Sequence, residues 1–309
     1  MMAVTGANGF VGRALVERLR ADGVPVRALV RRASGPGQVG VGDIGPDTDW
    51  SQALSGVECV LHCAAHVHQV KASGSQADDL HHRINTLGTA RLAREAARLG
   101  VRRLVFVSSV KVMGDASPPG APWRATDPPQ PSDAYGRSKW AAEQAIWETA
   151  AGSGLQGVVV RPPLIYGPGV KANFLSLVRL VRRGWPLPFG AIHNRRSLVA
   201  LGNLTSLLAR CAQAPQAAGQ TFFVSDGQDL STGELARAIG DAMDRRVLLL
   251  PVPPAWLKVA GRLTGTSAAV NRLVGDLQVD IGHTIAGLDW RPVLTVEQAL
   301  RETVQALDA

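Results

Sequence analysis

The chain has 309 residues and a mass of 32.6 kDa, room for about two domains or one large domain with a lobe. Hydrophobic residues make up 46% and charged residues 19%, which excludes a mostly disordered chain. Three cysteines, Cys59, Cys63 and Cys211, are too few and odd in number for a disulfide framework and point to a reducing compartment.

The 33 Lys and Arg residues outweigh 25 Asp and Glu, giving a net charge of +8. The arginines are scattered from Arg13 to Arg301 in ones and twos, so a nucleic-acid partner is not expected and anionic small-molecule ligands are. No apolar run reaches the roughly 18 residues of a membrane span. The greasiest stretch, 247–257, is interrupted by Pro251, Pro253 and Pro254. Met1 and Met2 lead straight into a Gly-rich turn, so no signal peptide is expected and a cytoplasmic location is.

Thr5-Gly6-Ala7-Asn8-Gly9-Phe10-Val11-Gly12 closes a very short first strand and opens a helix over 11–21. Glycines at Gly6, Gly9 and Gly12 allow a tight turn, close approach of a pyrophosphate, and packing of helix on sheet. Free N–H groups at the helix start would face the phosphates, with Asn8, Phe10 and Val11 in the same turn. A second strand over 26–30 ends at Arg31-Arg32. An acidic residue there would suit the ribose hydroxyls of NAD, whereas the planar guanidinium of Arg31 suits a 2′-phosphate. NADP(H) is therefore the expected cofactor and NAD(H) the alternative; the arginines could instead simply point into water. Asp43 and Ile44 follow a short third strand, placed to meet an adenine amino group and cover its ring.

Further apolar runs over 59–63, 104–107 and 158–160 read as buried strands, separated by helical stretches over 77–99 and 133–151. That alternation predicts an α/β fold, a doubly wound parallel sheet of Rossmann type. The dinucleotide domain is expected over 1–165, with some later segments returning to it. A smaller C-terminal α/β substrate lobe over 166–309 would carry helices at 170–183, 231–242 and 293–307 around a rigid 184–190 loop.

Tyr135 and Lys139 stand four residues apart at a helix start, on one face. Lowering a phenol by three pKa units takes about 4 kcal/mol. A cation some 4 Å away at an effective dielectric of about 20 supplies about that much. Ser108-Ser109, at the carboxyl end of the 104–107 strand, offers a hydroxyl to orient the reacting oxygen. His62, His66, His68, His81 and His82 cluster in sequence without a ligand set at zinc geometry, so no metal is expected. A loop over 67–79 could cover the cofactor. A Pro-rich loop over 117–131 either walls a pocket or merely connects elements, and Cys59 and Cys63 read as packed thiols.

With these motifs the chain resembles the extended short-chain dehydrogenases/reductases of the nucleotide-sugar epimerase/dehydratase/reductase group. The resemblance rests on residues 5–12, Asp43-Ile44, Ala64-Ala65, Asn85 in Asn-Thr-Leu-Gly-Thr, Ser108-Ser109, Tyr135/Lys139 and Arg161-Pro-Pro-Leu-Ile-Tyr-Gly-Pro168. It implies that Ser109, Tyr135 and Lys139 are catalytic. It also implies that Ala64, Ala65, Asn85, Pro162 and Leu164 join the cofactor site, with Asn85 bracing the Lys139 side. UDP-sugar binding would fall to Asn173, Phe174, Phe189 and Arg196, with Phe189 against uracil and Arg196 on the diphosphate. A homodimer through helices 79–99 and 133–151 is the family habit.

The 161–201 stretch resembles the UDP-glucose 4-epimerase-like enzymes of bacterial surface-polysaccharide synthesis. Some of these reduce UDP-4-keto-6-deoxy-N-acetylhexosamine to UDP-N-acetylquinovosamine. Arg31-Arg32, Leu164 in place of a frequent asparagine, and Met113 in place of a frequent tyrosine all tilt the expectation to an NADP(H)-linked 4-ketoreductase. The rivals are a UDP-hexose 4-epimerase and a non-catalytic NADP-sensing protein. A dehydratase is disfavoured because Val110-Lys111 replaces the acid pair such enzymes need after the serine.

Overall fold

Strands form mainly at the short apolar runs. In the computed structural model, which describes residues 1–67 and 75–308, they are β1 (Met2–Thr5), β2 (Val26–Val30), β3 (Gln38–Gly40), β4 (Cys59–His62), β5 (Arg103–Val107), β6 (Gln156–Arg161), β7 (Leu164–Tyr166), β8 (Leu198–Ala200) and β9 (Thr221–Phe223). Seven of them make one sheet in the order β3-β2-β1-β4-β5-β6-β9, every pair parallel. β7 and β8 form a separate parallel pair. This is the Rossmann-type doubly wound α/β fold. Strand order reverses between β1 and β4, so the crevice for a ligand opens at their carboxyl ends.

The period-two alternation of each strand feeds two cores. Val4, Leu61, Val105, Val158 and Val160 face the helices Phe10–Ala21 and Leu201–Gln213. Ala3, Val60, Leu104 and Val159 face the helices Gly88–Arg98 and Ala134–Ala151. A third cluster, built on Tyr166, Phe174, Val178, Phe189, Leu235 and Leu300, fills the part formed by β7, β8 and the later helices.

Several elements depart from the sequence reading. The helix expected over 77–99 runs from Ser75 to Arg98 but opens into a π-helical turn at His81–Leu87. Leu201–Gln213, expected as short segments, is a helix buried on nearly all sides. Pro254, taken as a break, opens the helix Pro254–Leu263, because proline at a first helical position gives up no hydrogen bond. Part of the expected 67–79 covering loop, His68 included, lies outside the described residues.

Candidate active site

The turn after β1 is shaped by its glycines. Gly6 sits at φ 64°, and a Cβ there would lie 2.9 Å from the backbone of Ala64. A Cβ on Gly12 would come 2.2 Å from the Gly6 carbonyl oxygen, so the helix start can approach the turn only because that side chain is absent. Gly9 precedes the helix without any side-chain cap, leaving the first helical N–H groups directed outward. Asn8 and Gly9 are exposed, while Phe10, Val11, Ala64 and Ala65 are half-buried around the same mouth. A diphosphate fits this cradle.

Arg31 and Asp43 meet each other. The Arg31 Nε stands 2.7 Å from the Asp43 carboxylate, with both side chains more than two-thirds exposed. Asp43, expected on an adenine amino group, is thus engaged by the cation expected on a 2′-phosphate. Ile44 packs half-buried against the second core.

Asp133 caps the helix Ala134–Ala151 by accepting the Gly136 N–H at 2.7 Å, which fixes Tyr135 in its first turn. The Ser109 hydroxyl accepts the Lys111 N–H at 3.2 Å and lies close enough to the Tyr135 phenol to favour its ionised form. Ser108 instead donates to the Glu143 carboxylate and is buried. Burial pushes the Tyr135 phenol up to about 12 and Asp133 adds to the rise, while the Ser109 hydroxyl opposes them.

Lys139 lies one turn after Tyr135 on the same helix and is buried. Its Nζ donates to the Val107 carbonyl at 2.6 Å and lies 4.1 Å from the Phe106 ring centroid. Burial drives this ammonium down to about 7, against the pull of Glu143. The expected depression of the phenol by Lys139 is therefore corrected. Desolvation is the largest influence on Tyr135, and the charge that acts on it is the Asp133 carboxylate, while the lysine is tied to the end of β5.

Around this pair lies a buried polar frame that sequence reasoning missed. Arg161 donates to Glu143 at 3.1 Å through Nε and 2.6 Å through Nη2. It also donates to the Met113 sulfur at 3.3 Å. Met113, expected in a pocket wall, is buried beneath that guanidinium. Glu143 follows Lys139 by four residues, so helix spacing was the available signal.

Asn85, on the π-helical turn, donates to the Ser138 hydroxyl at 3.0 Å and clasps both backbone groups of His66, at 2.7 Å (N–H) and 3.0 Å (C=O). The His81 ring stands edge-on to Tyr135, 5.7 Å between centroids. His62 is stacked on Phe106 and hydrogen-bonds Thr5 at 2.6 Å and Thr89 at 3.0 Å; burial lowers its pKa to about 3. Among the described residues, no group of three or more His, Cys, Asp or Glu could hold a metal ion.

Pro162 is buried, and its carbonyl accepts the Val110 N–H at 2.9 Å. Leu164 is 42% exposed. The Pro-rich loop is zipped to a later segment, with Ser117 bonded to Asp276 and Trp123 to Gln278.

The residues expected on a nucleotide-sugar divide. Asn173 is exposed, and Arg196 is half-buried with Nη1 donating to the carbonyls of Arg272 at 2.8 Å and Gly275 at 2.9 Å. Phe174 is stacked on Tyr166 at 5.1 Å, and Phe189 sits in the same buried cluster. Both aromatics serve the third core here, so the expected open face for uracil on Phe189 is corrected to a packed one. The short β7–β8 sheet supplies little apolar surface of its own.

Comparison with known proteins identifies the family. The family described as NAD dependent epimerase/dehydratase matches residues 2–224. A UDP-glucose 4-epimerase of Vibrio cholerae is 43% identical over 98% of this chain and 94% of its own length. An N-acetyl-alpha-D-glucosaminyl-diphospho-ditrans,octacis-undecaprenol 4-epimerase of Escherichia coli O157:H7 is 27% identical over 86% of this chain and 81% of its own. Among solved structures, MoeE5 in complex with UDP-glucose and NAD shares the fold at TM-score 0.76 and 24% identity, covering 99% of this chain and 98% of that one. The UDP-glucuronic acid 4-epimerase of Bacillus cereus in complex with NAD does so at 0.78 and 15%, with coverage of 99% and 98%. This chain is an enzyme of the NAD-dependent epimerase/dehydratase family, within the extended short-chain dehydrogenases/reductases.

Proposed function

We propose that the protein inverts C4 of a UDP-hexose, using an NAD that it holds through the cycle. The likeness to the Vibrio cholerae UDP-glucose 4-epimerase, sustained over 98% of the chain, carries this reading. It favours the epimerase over the 4-ketoreductase that the sequence motifs led us to expect. The Arg31–Asp43 ion pair supports NAD over NADP(H), since a carboxylate beside the cation repels a 2′-phosphate.

Gly6, Asn8, Gly9 and the helix start at Phe10–Gly12 would hold the diphosphate of the cofactor, and Ala64, Ala65, Asn85, Pro162 and Leu164 the remainder. When bound, NAD supplies a two-electron acceptor for the C4 hydrogen and a positive ring that favours the phenolate of Tyr135. Tyr135 takes the proton of the C4 hydroxyl as the C4 hydrogen leaves as hydride, and returns it to the 4-keto oxygen when, after the sugar has turned, the same hydride is given back to the opposite face of C4. Ser109 holds that oxygen beside the phenol. Lys139, anchored on the Val107 carbonyl, would offer its ammonium to a ribose hydroxyl of the cofactor. Arg196 and Asn173 would meet the UDP diphosphate, and pairing of two protomers through helices Gly88–Arg98 and Ala134–Ala151 is part of the same proposal.

The test is to supply UDP-glucose to purified protein with no added nucleotide. Formation of UDP-galactose, abolished in Tyr135→Phe, is the expected result. A specific feature keeps the ketoreductase as second reading: the exposed Leu164 presents an apolar wall suited to a 6-deoxy sugar. That enzyme would give no product from UDP-glucose and would consume added NADPH with a 4-keto substrate.

A further inference from the structure

The helix Pro254–Leu263 has two unlike faces. One packs inward: Gly261 is buried against Val270, where an added Cβ would meet a Val270 methyl at 2.8 Å, and Leu257 is half-buried toward the third core. The other face carries Trp256, Val259 and Leu263, spaced i, i+3 and i+7, at 71%, 53% and 84% exposure. Leu248, at 61%, and Trp185, at 65%, stand on two neighbouring segments joined by the Leu187–Leu249 bridge. Patches of this kind on a globular surface mark an interaction site.

Charge identifies the partner. Residues 245–275 contain Arg245, Arg246, Lys258, Arg262 and Arg272 and no Asp or Glu. Lys258 and Arg262 are exposed beside the apolar stripe, and Arg183 lies over Trp185, 6.0 Å from its ring to the guanidinium carbon. A helix of 10 residues is too short to cross a bilayer. Tryptophan and aliphatic tips flanked by cations are the chemistry of a helix lying in the headgroup region of anionic lipid.

We propose that this face docks the enzyme on an anionic membrane surface. The helix pair Pro254–Leu263 and Ser267–Val274 is tethered to Asn194 and Arg196 through the carbonyls of Leu273, Arg272 and Gly275. Docking would therefore set the segment around Arg196 close to the lipid surface. The inference stands on exposure and charge, independently of the reaction proposed above.

Co-sedimentation of the full chain with phosphatidylglycerol-containing vesicles and with pure phosphatidylcholine vesicles tests it. Wild-type protein should pellet with the anionic vesicles, lose that binding as salt is raised, and remain in solution with the neutral ones. A Trp256→Ser/Leu263→Ser variant should bind about tenfold or more weakly, with unchanged melting temperature and turnover. Lys258→Gln/Arg262→Gln should flatten the salt dependence. Equal binding by wild type and the apolar variant, or no binding by either, overturns the proposal. So does a wild-type dimer that the apolar variant dissociates, since that would assign the face to a second copy of the chain.

Discussion

Lys139 and Val107 are joined by a 2.6 Å hydrogen bond from the ammonium to the last carbonyl of β5, in a setting only 1% exposed to solvent. The lysine titrates near 7 instead of its usual 10.5 because burial penalises the charge. Between those values the unfolded chain holds a proton that the folded chain has released, so stability rises with pH across that window. Below pH 7 the folded protein carries the buried ammonium and its full penalty. Urea unfolding across the window should show this slope, worth a few kcal/mol in total. Lys139→Met should flatten it. The lost bond to Val107 would move the whole curve without restoring the slope.

Tyr135 is one of only two tyrosines. The other, Tyr166, is buried and donates to Asp226 at 2.7 Å, which raises it far beyond the ordinary phenol range. Ultraviolet titration therefore reads Tyr135 alone. Nucleotide-free protein should show no phenolate until well above pH 10, in line with a value of about 12. Saturating NAD should bring the phenolate signal to lower pH, and Tyr135→Phe should remove it. A midpoint unmoved by NAD would contradict the role given to the cofactor's charge.

Glu143 and Arg161 are a buried ion pair, 0% and 4% exposed at their side chains. Glu143→Gln leaves the guanidinium unpaired and should destabilise the fold by about 3–5 kcal/mol in denaturant titrations. The double variant Glu143→Leu/Arg161→Met should recover much of that loss, because both desolvation penalties vanish together.

Gly12→Ala would force a Cβ to 2.2 Å from the Gly6 carbonyl oxygen. We expect about 1–3 kcal/mol of destabilisation from the displaced helix start, together with loss of bound nucleotide on gel filtration. Gly154→Ala, where an added Cβ meets nothing within 4 Å, should keep both properties.

The sheet was readable because its strands are near-continuous apolar runs between polar helix faces; 26–30 coincides with β2 residue for residue. The same burial that makes β strands legible hides the helix Leu201–Gln213. Its polar stripe, Asn203, Ser206, Arg210 and Gln213, is narrow and mostly made of short side chains, so the segment read as irregular although the period is present. Tyr135 and Lys139 were singled out by their spacing, the Ser108-Ser109 pair by its position at a strand end, and Ser109 within that pair through the family likeness. The Glu143–Arg161 pair was not, since an arginine in an apolar strand gives no sign of which carboxylate it will meet 18 residues away. Nor does sequence reveal that the lysine would turn to Val107, a choice made by tertiary packing around Phe106. Phe174 and Phe189 were read through family likeness as ligand contacts, whereas a small third core needed their volume.

One site oxidises C4 and reduces it again without exchanging its electrons with outside nucleotide, as proposed above. UDP-glucose deuterated at C4, followed by NMR, tests this most directly. UDP-galactose that keeps the deuterium at C4, formed with no nucleotide added, is the expected result. Loss of the label to solvent, or product that forms only with NADPH and carries its hydrogen, would contradict it.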